Sequence, residues 1–386
     1  MTALKSLRFE PYELPEHLEV LRTEVRTFLQ NECADFSAVH RSNSWDAFDP
    51  EFSQKLGKRG WLGMTLPRAY GGHQRGPLER YVVVEELLAA GAPTGFHWIA
   101  DRQSGPLLAR YGTEAQKKNI LPRITAGKAC FCIGMSEPNS GSDLASLRTR
   151  ADRSDRGWII NGQKIWTSHA HQANYMIALI RTSPATENRH EGLSQFLIEL
   201  PAPGVTCRPI KDLTGRAQFN EVFFEDAVIP HEALIGTEGD GWKQVVEELA
   251  FERSGPERYL SSYILLTNLI DTIKDAASAA TLKRIGSQIA LLVALRNMSL
   301  SVAGMLNEGK DPTLQASIVK DVGCSFEQGL PGLAQEIVDL EPTIAGYGID
   351  YQQVLGNLLQ LAPSFSLRGG TPEILRGIIA RGLGLR

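Results

Sequence analysis

Apolar residues in the first third of the chain recur at helical spacing. Leu18, Val20, Leu21, Val25 and Leu29 return every three or four positions and predict an amphipathic helix. A turn-rich stretch from Trp61 to His73 follows, with Pro67 and the Gly71-Gly72 pair. The pattern then predicts a strong helix over Leu78–Ala90 and shorter ones over Asp101–Tyr111 and Glu114–Ala126. Gly112 reads as a helix stop and Thr113 as the cap of the next helix.

Near Ala129 the periodicity changes. Cys130–Met135, Gly157–Ile160, Tyr175–Arg181, Ser194–Glu199 and Asn220–Phe224 read as strands, the first unbroken apolar and others imperfectly alternating. Asn161-Gly162, Pro203-Gly204 and Thr214-Gly215 read as the turns between them. Five or more strands without long intervening helices make a compact β domain, not a βαβ unit. From Gly241 the helical pattern returns: a long element over Trp242–Thr272 that contains Pro256, then Ala277–Asn307, Pro312–Gln328, Leu333–Val338 and Ile374–Ala380. The chain is therefore expected to be α+β. An N-terminal helical domain (1–128) precedes a middle β-barrel-like domain (129–236) and a C-terminal four-helix bundle (237–386).

Composition narrows the function. With 386 residues, 42% hydrophobic and 22% charged, the chain can bury a large core and reads as globular. A formal charge of -4 argues against generic nucleic-acid binding. Five scattered cysteines are a poor disulfide framework, and Cys130 and Cys132 have no nearby histidine to complete a zinc site, so no metal is expected. Neither a signal-peptide core nor a run of 18 apolar residues is seen, so no membrane insertion is expected and the location reads as cytoplasmic.

No dinucleotide fingerprint follows a strand, and no Walker A loop or HExxH motif occurs. Two polar stretches of the β region stand out. Met135–Asp143 (Met-Ser-Glu-Pro-Asn-Ser-Gly-Ser-Asp) reads either as a surface loop or as a set of hydroxyls and amides able to hold a carbonyl-rich ring or a phosphate. In Lys164–Ser168, Trp166 reads either as core or as a side chain beside a flat cofactor, with Ser168 as donor. Glu252 lies four residues before Pro256, which has no N–H to close the helical bond to the Glu252 carbonyl; a kink is expected there.

Over essentially the whole chain these residues resemble the acyl-CoA dehydrogenase family. The resemblance rests on Trp61-Leu62-Gly63-Met64 with Gly71-Gly72, Met135–Asp143, Gly162–Ser168, Phe219–Pro230, Phe251-Glu252-Arg253 and Gly370–Leu385, in that order. It implies FAD-dependent α,β-desaturation of an acyl-CoA thioester. A glutamate takes the α proton, and hydride leaves the β carbon for flavin N5. It implies that Ser136, Ser142, Trp166, Thr167 and Ser168 face the flavin, with Ser142 also near the acyl thioester. Thr371 and Glu373 match the C-terminal flavin segment. The family's commoner position for the base matches Gly369, which cannot abstract a proton. The less common position, on the long helix before an arginine, matches Glu252; Arg253 then orients the base, contacts substrate or forms an ordinary ion pair with it, and Gly369 lies beside the substrate.

Two departures bear on assembly. The Arg-x-x-Phe-Gly segment through which homomeric members reach a neighbour's FAD is absent from Ile273–Arg284. The glutamine and double glycine near the adenosine are reduced to Thr343-Ile344-Ala345-Gly346-Tyr347-Gly348. This resembles subunits of heterotetrameric acyl-CoA dehydrogenases of bacterial sterol side-chain breakdown, implying either an α2β2 assembly with a related subunit or a homo-oligomer with altered FAD contacts. An electron-transfer flavoprotein is the implied acceptor. A flavin monooxygenase of the same fold and a non-catalytic subunit are the alternatives. His97, His169 and His171 lie near the matched segments and read as polar wall or surface.

Overall fold

A computed structural model describes residues 7–252, 255–275, 277–344 and 346–385, with only the backbone described for 248–252. Its elements run in the expected order: an N-terminal helical region, a curled mixed β-sheet and a C-terminal helical bundle. The helices are α1 (Glu16–Glu32), α2 (Ala38–Arg41), α3 (Pro50–Lys58), α4 (Pro77–Ala90), α5 (Gly105–Tyr111), α6 (Glu114–Thr125), α7 (Gly241–Glu252), α8 (Tyr263–Ile273), α9 (Ala279–Asn307), α10 (Thr313–Ile337), α11 (Asp350–Phe365) and α12 (Pro372–Gly382). The strands are β1 (Phe131–Gly134), β2 (Arg150–Ser154), β3 (Gly157–Ser168), β4 (Tyr175–Arg181), β5 (Leu193–Glu199), β6 (Val205–Ile210) and β7 (Phe219–Ile229). Two compact units interleave along the chain: Met1–Phe48 with Arg75–Gly95 and Glu252–Arg386, and Asp49–Gln74 with Phe96–Phe251.

The second unit is built around the sheet, in the order β1-β4-β2-β3-β7-β6, with β5 also paired to β4. β4 is its floor: Met176–Ile180 are buried without exception, and β4 pairs parallel with β1 and antiparallel with β5. A continuous apolar run suits a strand covered on both faces. β2 and β3 form the hairpin whose turn spans Asp155-Arg156. Phe131, Tyr175 and Ile177 pack with Leu107, Leu108, Ile120, Leu121 and Ile124 of α5 and α6. Thr113 caps α6, as its sequence predicts, and the structure completes a capping box with Gln116. The first turns of the helix entering α5, Ala100–Ser104, are wound as a π-helix, and all five of those residues are buried.

In the first unit α9 packs on α4 and α10, and α10 packs on α11 and α12. A polar network is buried among α1, α4 and α9. Arg22 meets both Glu85 (2.8 Å) and Glu86, Arg26 reaches Glu86 at 2.7 Å, and Arg296 of α9 reaches Glu85 at 2.7 Å. Beside it the hydroxyls of Tyr81 and Tyr259 share a 2.7 Å hydrogen bond. By length and composition α9 alone among the described helices could cross a membrane; its C-terminal half is buried among its neighbours.

Three local expectations are corrected. The element over Trp242–Thr272 is not one kinked helix. α7 ends at Glu252, a 3-10 turn spans Pro256–Arg258, and α8 starts at Tyr263, because proline with Gly255 before it opens a new turn more readily than it bends an old one. Pro312–Gln328 and Leu333–Val338 merge into α10, which carries Pro331 inside it. Asn161-Gly162 is not a turn: β3 runs through it as a bulge against β7, where Gly162 adopts φ 145°.

Candidate functional site

β1 leads directly into the first polar stretch. Glu137 and Ser140 bridge each other through their backbones, and the Ser140 hydroxyl donates to the Asp143 carbonyl at 2.8 Å. This tight loop leaves Gly141 and Ser142 exposed at its tip. Arg181 secures the strand beyond, donating to the carbonyls of Ala145 and Glu191, each at 3.0 Å. Arg189 pairs with Asp143, and His190 stacks on Trp242 at 4.1 Å between ring centres.

The second polar stretch is the end of β3. Its register against β7 shifts between Lys164 and Thr167. That bulge puts Trp166 (φ 60°) and, just beyond the strand, His169 (φ 55°) in the left-handed region. For a residue with a β carbon this costs about 1–2 kcal/mol, and such strain concentrates where a side chain must be aimed. The result is a tryptophan that is 57% exposed, braced edge-on against Phe219. Thr167 faces the other way. It is fully buried, and its hydroxyl has no hydrogen-bond partner among the described residues. Its carbonyl accepts from Asn220 Nδ2 (3.0 Å), and Asn220 Oδ1 bonds His171 Nδ1 at 2.9 Å. Burial, with His171 nearby, pushes the His169 imidazole down to about 4.

The two stretches meet. Ile165 N donates to the Ser136 carbonyl at 2.9 Å. Lys164 is fully buried, and its ammonium donates to the Met135 carbonyl (3.0 Å) and to Glu137 Oε1 (2.9 Å). Glu137 also accepts from the amides of Arg148 (2.6 Å) and Thr149 (2.8 Å). Burial pushes Lys164 down to about 8, against the pull of Glu137. Burial pushes Glu137 up, but Lys164 and the donors at 148–149 outweigh it and hold the carboxylate below its usual range. At neutral pH both members are charged. This pair was not foreseen, although Lys164 shares the buried phase of Trp158 and Ile160 along β3 and so demanded a partner.

In the other unit, Gly369 (φ 70°) and Gly370 (φ 99°) form a left-handed turn before α12, whose N-cap is Thr371. Arg368 anchors that turn. It donates to Ser261 Oγ at 2.6 Å, lies 4.1 Å over Trp45 and stands 3.6 Å from the buried carboxylate of Glu327. Backbone amides and the Thr371 hydroxyl hold the exposed Glu373 carboxyl below its usual range. Glu252 is the last residue of α7; its side chain and the whole of Arg253 lie outside the described residues.

Comparison with known proteins agrees with this layout. The acyl-CoA dehydrogenase N-terminal domain matches residues 15–128 and the acyl-CoA dehydrogenase middle domain residues 132–227. The chain belongs to the acyl-CoA dehydrogenase family and is an enzyme, an oxidoreductase. It is 33% identical to acyl-CoA dehydrogenase IpdE1 of Mycobacterium tuberculosis, over 96% of this chain and 98% of that one. Among solved structures it is similar to the Tcur3481-Tcur3483 steroid acyl-CoA dehydrogenase (TM-score 0.86, 28% identity, covering 97% of this chain and 98% of that one). It is also similar to the ChsE4-ChsE5 complex of Mycobacterium tuberculosis (TM-score 0.82, 26% identity, 98% and 100% covered).

Proposed function

We propose that this chain catalyses FAD-dependent α,β-desaturation of an acyl-CoA thioester with Glu252 as the base. The observation that carries the flavin site is the β3 bulge: an exposed Trp166 held in a strained conformation, followed by the half-buried Ser168. An exposed indole offers a flat face to an aromatic ring system; Thr167, which the resemblance counts among the flavin contacts, is wholly buried and faces away from that indole. Ser136, Ser142 and Ser168, none of them fully buried, would complete the lining. Thr371 and Glu373 join them as flavin contacts on the family resemblance alone. When bound, FAD supplies the two-electron acceptor, taking hydride from the β carbon at N5.

Glu252 removes the α proton, so that one proton and one hydride leave adjacent carbons and a double bond forms between them. A carboxylate is a weak base in water. Enclosure with substrate would raise its proton affinity, and Arg253 opposes that rise unless it is directed elsewhere. Gly369 presents no side chain where other members of the family carry a carboxylate, leaving room for a wide acyl group and favouring a steroid or other bulky substrate. The two-chain assemblies among its relatives, with the altered Ile273–Arg284 and Thr343–Gly348 segments, support an α2β2 heterotetramer. An electron-transfer flavoprotein is the proposed acceptor.

The test is anaerobic mixing of the flavin-loaded enzyme, alone and co-expressed with a related subunit, with a panel of linear and steroid acyl-CoA thioesters. Bleaching of the flavin band is expected with a substrate. In Glu252→Gln the rate should fall by about 10³-fold or more with FAD content unchanged. If the Glu252→Gln variant bleaches at the wild-type rate, Glu252 is removed from the mechanism.

A further inference from the structure

We propose that Lys164 and Glu137 form the positioning pair of the flavin-facing wall, setting the relative placement of Ser136 and the Trp166–Ser168 bulge. The proposal rests on the FAD reading above. Three consecutive residues of the first stretch are gripped from one point of β3. Lys164 Nζ takes the Met135 carbonyl at 3.0 Å, Ile165 N takes the Ser136 carbonyl at 2.9 Å, and Lys164 Nζ takes Glu137 Oε1 at 2.9 Å. Ser136 is thus fixed on both sides by a single ammonium, with the residue next to that lysine bonded to Ser136 itself.

The far side of Glu137 is fixed as well. Its carboxylate takes the amides of Arg148 and Thr149, tying the loop to the start of β2. Each lever is buried: Lys164 is wholly inaccessible and Glu137 nearly so. The bulge begins within two residues of Lys164, and its C-terminal end is held separately by His169 N on the Gln218 carbonyl and Asn220 Nδ2 on the Thr167 carbonyl. The strained tryptophan is therefore clamped from both ends, and the N-terminal clamp is the ion pair.

Stability does not by itself account for such a pair. Two charges taken from water lose hydration that their attraction only partly returns, so apolar residues of similar volume often hold a core as well or better. An ammonium has a second property that an apolar group lacks: it fixes two oxygens at hydrogen-bond distance and defined angle. Position is what this pair adds, and the groups it positions are those proposed to line the flavin.

The experiment compares the wild-type chain, with its partner subunit if one is needed for flavin uptake, with the double variant Lys164→Met/Glu137→Leu. Thermal unfolding is measured without FAD; FAD dissociation constant and visible spectrum are measured with it. The expected result is an apo unfolding midpoint lowered by the stranded amides of Arg148 and Thr149, FAD binding at least tenfold weaker and shifted flavin bands. Unchanged affinity and unchanged bands would overturn the proposal, leaving the pair purely structural. Should the double variant not fold, Lys164→Arg, which keeps the charge but displaces it, is read in the same way. A wild-type chain that takes up no FAD under any of these conditions would defeat the FAD reading itself and this inference with it. Wild-type binding with an indifferent variant defeats the inference alone.

Discussion

Glu327 and Arg368 face each other at 3.6 Å, with the carboxylate wholly buried and the guanidinium stacked over Trp45. Glu327 Oε1 also accepts from Ser261 N at 2.7 Å, and Arg368 donates to Ser261 Oγ. The three residues join α10, the segment before α8 and the glycine turn before α12. Removing one member of a buried pair strands the other, which typically costs about 3–5 kcal/mol. Glu327→Ala should lower stability by an amount of that order, measured by chemical denaturation. Burial holds the Glu327 carboxyl above its ordinary 4.5, against Arg368. A raised folded-state value means the folded protein holds this proton more tightly than the unfolded chain. This group's contribution is then full below about pH 4.5 and declines as pH rises through the folded value. The cost of Glu327→Gln should accordingly be larger at pH 4 than at pH 7.

Moving the carboxylate back to position 369 should not restore the reaction. Gly369 has φ 70°, where an L side chain costs about 1–2 kcal/mol, and the turn is pinned by Arg368 one residue earlier. The double variant Glu252→Gln/Gly369→Glu is expected to stay inactive in anaerobic bleaching and to unfold at a lower temperature than Glu252→Gln alone. Recovery of a tenth or more of the wild-type rate would contradict this account.

Thr167 offers a test that separates stability from binding. Its buried hydroxyl has no partner among the described residues, and an unsatisfied buried polar group is destabilising by about 1–3 kcal/mol. Thr167→Val keeps the shape. Without FAD it should be as stable as wild type or more so, with FAD affinity unchanged, because the side chain is wholly buried and faces away from Trp166. A variant that loses apo stability would show that the hydroxyl serves the fold.

His169 should make the fold sensitive to mild acid. Burial, with His171 beside it, lowers its folded-state value from 6.5 to about 4. The unfolded chain therefore binds this proton first. The stability that follows is present above pH 6.5 and is lost as pH falls through the folded value, up to about 3 kcal/mol in all. Replacing the imidazole in His169→Gln should flatten the stability profile between pH 6.5 and pH 4 relative to wild type. A parallel pair of profiles would show that His169 does not titrate in this window.

Much was legible along the chain because local patterns reflect local causes. The helical spacing of Leu18, Leu21, Val25 and Leu29 required an apolar stripe, and α1 buries each of them, whereas Val20, read into the same stripe, is 60% exposed. The cap at Thr113 was readable from its near neighbours, and the unbroken apolar run over Cys130–Met135 announced β1. Proline was harder: Pro256 starts a new turn where a kink was expected, whereas Pro331 is absorbed into α10. A proline forbids one hydrogen bond but does not say whether neighbouring helices will hold the remaining ones in place. α11 was not singled out, nor were β2 and β6, the last with alternating partial burial rather than a clear apolar face.

The sequence by itself determined the order of elements, the polar stretches at 135–143 and 164–168, and the glycine at 369, since each depends on residue type and near neighbours. The tertiary structure decided that Lys164 meets Glu137 across 27 positions, that a bulge turns Trp166 outward while burying Thr167, and that Arg368 is held by Ser261 and Glu327. Those are long-range pairings. A buried charge or an interrupted strand register announces that a partner is needed, but which partner it finds is fixed only when distant segments pack against each other.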